Sequence, residues 1–68
     1  MTDQEFLRRL RRYARRVDSS IDYRPDFGKG SHSKVRLGDR MAILPKGELK
    51  PGTLHGILRQ LGIDKREF

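Results

Sequence analysis

His32-Ser33-Lys34-Val35-Arg36-Leu37-Gly38-Asp39-Arg40-Met41-Ala42-Ile43-Leu44 is the stretch that decides the fold. Its first half alternates. Successive residues of an extended chain point to opposite faces, so Ser33, Val35 and Leu37 share one side and His32, Lys34 and Arg36 share the other. Gly38-Asp39 reads as the two-residue turn of a β-hairpin, and residues 40–44 form a more apolar returning strand stopped by Pro45. Upstream, Ile21-Asp22-Tyr23-Arg24 alternates in the same way, with Pro25 limiting its length or placing it at a sheet edge. The expectation is a three-stranded antiparallel sheet.

Helical patterns flank it. Thr2 and Glu5 have the spacing of a capping box, in which a hydroxyl and a carboxylate satisfy the orphan amides of a helix start. At about 100° per residue, Phe6, Leu7, Leu10, Tyr13, Ala14 and Val17 fall on one face, and Arg8, Arg9, Arg11, Arg12, Arg15 and Arg16 on the other. Residues 3 to about 17 therefore read as one amphipathic helix, broken by Asp18-Ser19-Ser20. After a polar loop over 46–52, Leu54, Ile57, Leu58 and Leu61 recur at helical spacing until Gly62 supplies a stop, with Thr53 as the expected N-cap. Asp64 and Glu67 are spaced to cap a further turn. The order helix, three strands, helix reads as a single α+β domain over residues 1–68, with both helices on one sheet face and the other face left for work.

Sixteen Lys and Arg against nine Asp and Glu give a net charge of +7 in 68 residues. Such an excess on one small domain is an electrostatic footprint for polyanions, with nucleic acid the leading partner and an acidic protein the next. With no cysteine, neither disulfides nor thiolate metal sites are available, so an apolar core must hold the chain. No apolar run approaches the roughly 20 residues that span a bilayer, and the start Met1-Thr2-Asp3-Gln4-Glu5 is acidic where a secretory signal is basic. A cytoplasmic protein with no membrane contact is expected.

His32 closes the glycine-rich segment Phe27-Gly28-Lys29-Gly30-Ser31-His32 at the head of the second strand. RNA carries its own nucleophile, the 2′-hydroxyl, so a protein that cleaves it need only move protons and stabilise the charged phosphate. An imidazole with an unperturbed pKa of about 6.5 can do the first near neutral pH. Lys29, Lys34 and Arg36 can do the second, while Gly28 and Gly30 let the backbone approach a phosphate closely. His55 sits amid Leu54, Ile57 and Leu58 and reads as a packing or surface residue. Two histidines separated by a helical segment, with no carboxylate pair at ligand spacing, make a poor metal site, so no metal or other cofactor is expected.

Gly30-Ser31-His32, followed at this separation by Leu49-Lys50-Pro51-Gly52-Thr53-Leu54 and Ile57-Leu58-Arg59-Gln60-Leu61-Gly62-Ile63, resembles the HicA toxins of bacterial toxin–antitoxin systems. The element order agrees over nearly the whole chain, and the two motifs cover about a third of it. The resemblance implies a fold similar to double-stranded-RNA-binding domains, cleavage of messenger RNA as an endoribonuclease, neutralisation by a HicB-type antitoxin, and no DNA contact by the toxin alone. It places His32 at the family's catalytic position; the residues themselves give Lys29, Gly30, Ser31, Lys34 and Arg36 as the expected RNA-binding set. Where many relatives carry a further histidine after the third strand, this chain has Pro45-Lys46-Gly47, and the usual Gly-Trp or Gly-Phe before the first strand is missing. Two alternatives use the same basic surface without catalysis: a double-stranded-RNA-binding module, and a protein-interaction module that meets an acidic partner.

Overall fold

In the computed structural model, which describes residues 1–25 and 32–68, the chain runs α1 (Asp3–Arg16), β1 (Ile21–Arg24), β2 (His32–Leu37), β3 (Arg40–Pro45) and α2 (Pro51–Leu61). The α+β order expected from the sequence is the order observed. Helix α1 begins at a complete capping box: the Glu5 amide donates to Thr2 Oγ1 at 3.1 Å, and the Thr2 amide donates to Glu5 Oε1 at 2.9 Å. All six arginines of the helix are exposed, while Phe6, Leu7, Leu10 and Ala14 are buried. The apolar stripe stops one turn earlier than its periodicity suggests. Val17 is the C-cap and 47% exposed, because Asp18 turns the chain away at φ 55°.

The three strands form one antiparallel sheet in the order β1-β2-β3. Gly38, at φ +62°, takes the left-handed conformation that primed hairpin turns demand at their first position, and Leu37 pairs with Arg40 across it. Pro45 does not stop β3 from outside but forms its last residue, opposite His32. Its missing amide is tolerated at a strand terminus.

Helix α2 starts three residues before the expected point. Thr53 lies inside the helix and does not cap it; Lys50 is the N-cap, with no side-chain hydrogen bond, and Pro51 opens the first turn. A proline there loses no intrahelical bond, and its fixed φ is already helical, so Pro51 and Gly52 join the helix instead of the loop. At the other end Gly62 adopts φ +73°. The Gly62 amide donates to the Arg59 carbonyl and the Ile63 amide to the Leu58 carbonyl, at 3.1 and 2.8 Å, which is a Schellman turn.

Both helices bury their apolar faces on the same side of the sheet. Phe6, Leu7, Leu10 and Ala14 of α1 and Ile57, Leu58 and Leu61 of α2 form one cluster with Val35, Leu37, Ala42 and Leu44, joined by Leu49 and Ile63. Ser33 is the polar member of that sheet face and is fully buried; its hydroxyl donates to the Leu44 carbonyl at 2.9 Å, so its burial leaves no unmet hydrogen bond. The two ends of the sequence are tied in as well. The Asp3 amide donates to the Gly47 carbonyl and the Gly47 amide to Asp3 Oδ1, at 2.9 and 3.1 Å. Phe68 stacks on Phe6 with ring centroids 5.1 Å apart, and Arg9 lies over the Phe68 ring and donates to its carbonyl at 2.6 Å.

Candidate nucleic-acid interface

The period-two geometry of β2 builds the candidate site. With Ser33, Val35 and Leu37 buried against the helices, His32, Lys34 and Arg36 must lie on the opposite, outer face. His32 and Arg36 are exposed and Lys34 is half-buried. Residues two apart on one strand face stand about 7 Å from each other, so the imidazole and the two cations form a short row along the middle strand.

The register adds neighbours to that row. Across β1, Arg24 pairs with Lys34 and Asp22 with Arg36; Arg24 Nε approaches Asp22 Oδ2 at 3.5 Å, with both side chains exposed. An exposed pair of this kind contributes little to stability and is free to exchange Asp22 for a phosphate. Across β3, Pro45 lies opposite His32, Ile43 opposite Lys34 and Met41 opposite Arg36. Met41 and Ile43 are 46% and 38% exposed. The outer face is therefore banded, with an acidic and basic pair on β1, a basic row with one imidazole on β2, and an apolar row on β3.

Of the residues expected to form the site, the structure brings His32, Lys34 and Arg36 together on one face. Lys29, Gly30 and Ser31, with Gly28, lie outside the described residues. Arg24 is an addition that the sequence pattern does not single out, although its signal is present: it is out of phase with Ile21 and Tyr23, so once β1 pairs with β2 it must join Lys34. His55 is exposed on α2 and does not reach the core cluster.

Chemically, the face offers one imidazole, a ring that can both donate and accept a hydrogen bond, with the basic side chains of Lys34, Arg36 and Arg24 beside it. Among the described residues no group of three or more His, Cys, Asp or Glu side chains is arranged to hold a metal ion, and no helix is long and apolar enough to cross a membrane. No protein-family model, curated protein or solved structure matches the chain.

Proposed function

We propose that this protein is a HicA-type toxin: a cytoplasmic, metal-independent endoribonuclease that cleaves messenger RNA and is held inactive by a HicB-type antitoxin, on a scaffold related to double-stranded-RNA-binding domains. The observation that carries this reading is the position of His32, exposed at the head of β2 on the same sheet face as Lys34 and Arg36 and outside the core. A histidine that the fold does not need, set beside cations, is suited to work on a polyanion.

In the proposed reaction, His32 accepts the proton of an RNA 2′-hydroxyl as its oxygen attacks the adjacent phosphorus. The P–O5′ bond breaks, leaving a 2′,3′-cyclic phosphate, and the departing 5′-oxygen takes up a proton, restoring the balance. Lys34 and Arg36, joined by Arg24, stabilise the extra charge on the phosphorane oxygens, where fixed cations act more strongly than on the ground state. The exposed Met41 and Ile43 give a protein partner an apolar anchor beside the catalytic row, so an acidic antitoxin covering this face would block the substrate.

The test is cleavage of a messenger RNA in the presence of EDTA, followed by analysis of the new ends. Cyclic phosphate or its hydrolysed 3′-phosphate opposite a 5′-hydroxyl is the expected result. A strict metal requirement with 5′-phosphate products sinks the mechanism.

One observation favours the double-stranded-RNA-binding alternative, namely the six exposed arginines of α1, a helix face that such folds commonly use. Loss of RNA binding on neutralising Arg8, Arg12 and Arg15 together, with binding intact after changes at Lys34 and Arg36, would move the RNA to the helix.

A further inference from the structure

At the C-terminal end of α2, beside the edge of the core, lies a second basic feature. His55 and Arg59 are one turn apart on the exposed face of the helix, and the Schellman turn at Gly62 folds the chain back so that Lys65 joins them. These three side chains, with Leu58 and Ile63, line an open pocket of about 310 Å³. Leu58 and Ile63 are the two residues whose apolar contact commonly accompanies such a turn; both are nearly fully buried and line the inner side of the pocket with what little surface they expose.

Cations near a helix C-terminus are expected from the dipole alone, but that explanation covers only part of the cluster. The dipole's influence fades within the last turn, whereas His55 lies in the middle of the helix. The helix end is also already served. The carbonyls of Leu58 and Arg59 accept the Ile63 and Gly62 amides, and Arg40 packs so closely over Gly62 that a Cβ there would lie 2.9 Å from its Nε. Among the described residues, none of His55, Arg59 and Lys65 makes an ion pair with a carboxylate; the nearby Asp64 is held by Arg66 at 2.9 Å.

We infer that this pocket binds the phosphate of a nucleotide, with Arg59 and Lys65 as the charged donors, His55 as the third donor, and Leu58 and Ile63 as the apolar inner side against the sugar or base. The volume is at the lower end of small-ligand sites and suits one nucleotide unit. That unit is either a member of an RNA strand whose cleavage takes place at His32 or a free mononucleotide. As a subsite for RNA it rests on the nuclease reading; as a nucleotide-phosphate site it does not.

The full chain is titrated with adenosine 5′-monophosphate and, separately, with adenosine, following the backbone amides of residues 55–65 and the His55 ring by NMR. The inference requires saturable shifts at Arg59, Lys65 and His55 with the monophosphate, and no such shifts with adenosine or in the Arg59→Gln/Lys65→Gln chain. Because these side chains are exposed, the double variant should keep its circular dichroism; Lys65→Gln alone serves if it does not. In the second arm, single-stranded RNA is bound to the His32→Ala chain at several salt concentrations with and without the two substitutions. A fall in salt slope of roughly 0.7 for each phosphate no longer neutralised assigns the pocket to RNA, while an unchanged slope with monophosphate shifts assigns it to a free nucleotide. Absence of shifts with the monophosphate, or equal shifts with adenosine, overturns the inference. A wild-type chain that binds the monophosphate in the pocket but leaves RNA uncut overturns the nuclease reading alone.

Discussion

The two faces of β2 divide the work of the molecule residue by residue. Ser33, Val35 and Leu37 are buried between sheet and helices, while the interleaved His32, Lys34 and Arg36 face outward and contribute nothing to the core cluster. One strand thus carries stability on its odd-numbered residues and charge on its even-numbered ones. The outer residues can therefore be changed without unfolding the domain, so a lost activity on that face reports chemistry and not collapse.

The sharpest way to break this separation is His32→Ala. Removing a general acid–base group typically lowers the rate by about 10²–10⁴-fold, and the domain should retain its thermal midpoint; a folded variant with wild-type cleavage would eliminate the proposed role. Leu44→Ala attacks the other face. Truncating a fully buried leucine should cost about 2–5 kcal/mol, a large part of the stability of a domain this small, and urea denaturation measures it. If Leu44→Ala proved neutral, the inner face would not be the core that its burial indicates.

Smaller effects sharpen the same contrast. Lys34→Gln with Arg36→Gln should flatten the salt dependence of RNA binding, by roughly 0.7 of slope for each phosphate of a single strand that is no longer neutralised, with little change in denaturation midpoint. Smallest is the effect of Glu5. Hydrogen bonds from the Thr2 amide and hydroxyl hold its carboxyl below the usual value of 4.5. A carboxyl with a lowered folded-state pKa stabilises the fold above the unfolded-state value and loses that contribution as pH falls through the folded one. Glu5→Gln keeps a capping partner but removes the titration. Melting temperatures of the wild type and this variant, compared above and below the ordinary carboxylate range, should therefore converge in acid; a constant difference would contradict the assignment.

Local signals made the architecture legible. The Thr2 and Glu5 spacing, the alternation of 33–37, the Gly38-Asp39 turn and Gly62 each act over a few residues, and each stands in the structure at its expected place. The misplaced boundaries have equally local causes. Thr53 outranks Lys50 as an N-cap by side-chain chemistry, yet Pro51 pre-sets the first turn without needing a capping hydroxyl. Val17 keeps the apolar period, but Asp18 in the left-handed region ends the helix before that side chain can be buried. Contacts such as that between Asp3 and Gly47 depend on how distant segments meet, and no pattern within either segment announces them. For the candidate site, periodicity placed His32 with Lys34 and Arg36. Arg24 needed the β1–β2 register, and the pocket at His55 needed the chain reversal after α2.

The ties that α1 makes to distant segments also set an order of assembly. The β2–β3 hairpin closes over a two-residue turn, whereas the segment around α1 finds its partners at Gly47, Leu49 and Phe68, between about forty and sixty positions downstream. Contacts of such separation carry a large loop-closure cost and form late unless something local precedes them. During synthesis the first helix is therefore made before the strands that cover Phe6 and Leu10, and Phe6 gains its last aromatic neighbour only when Phe68 has followed.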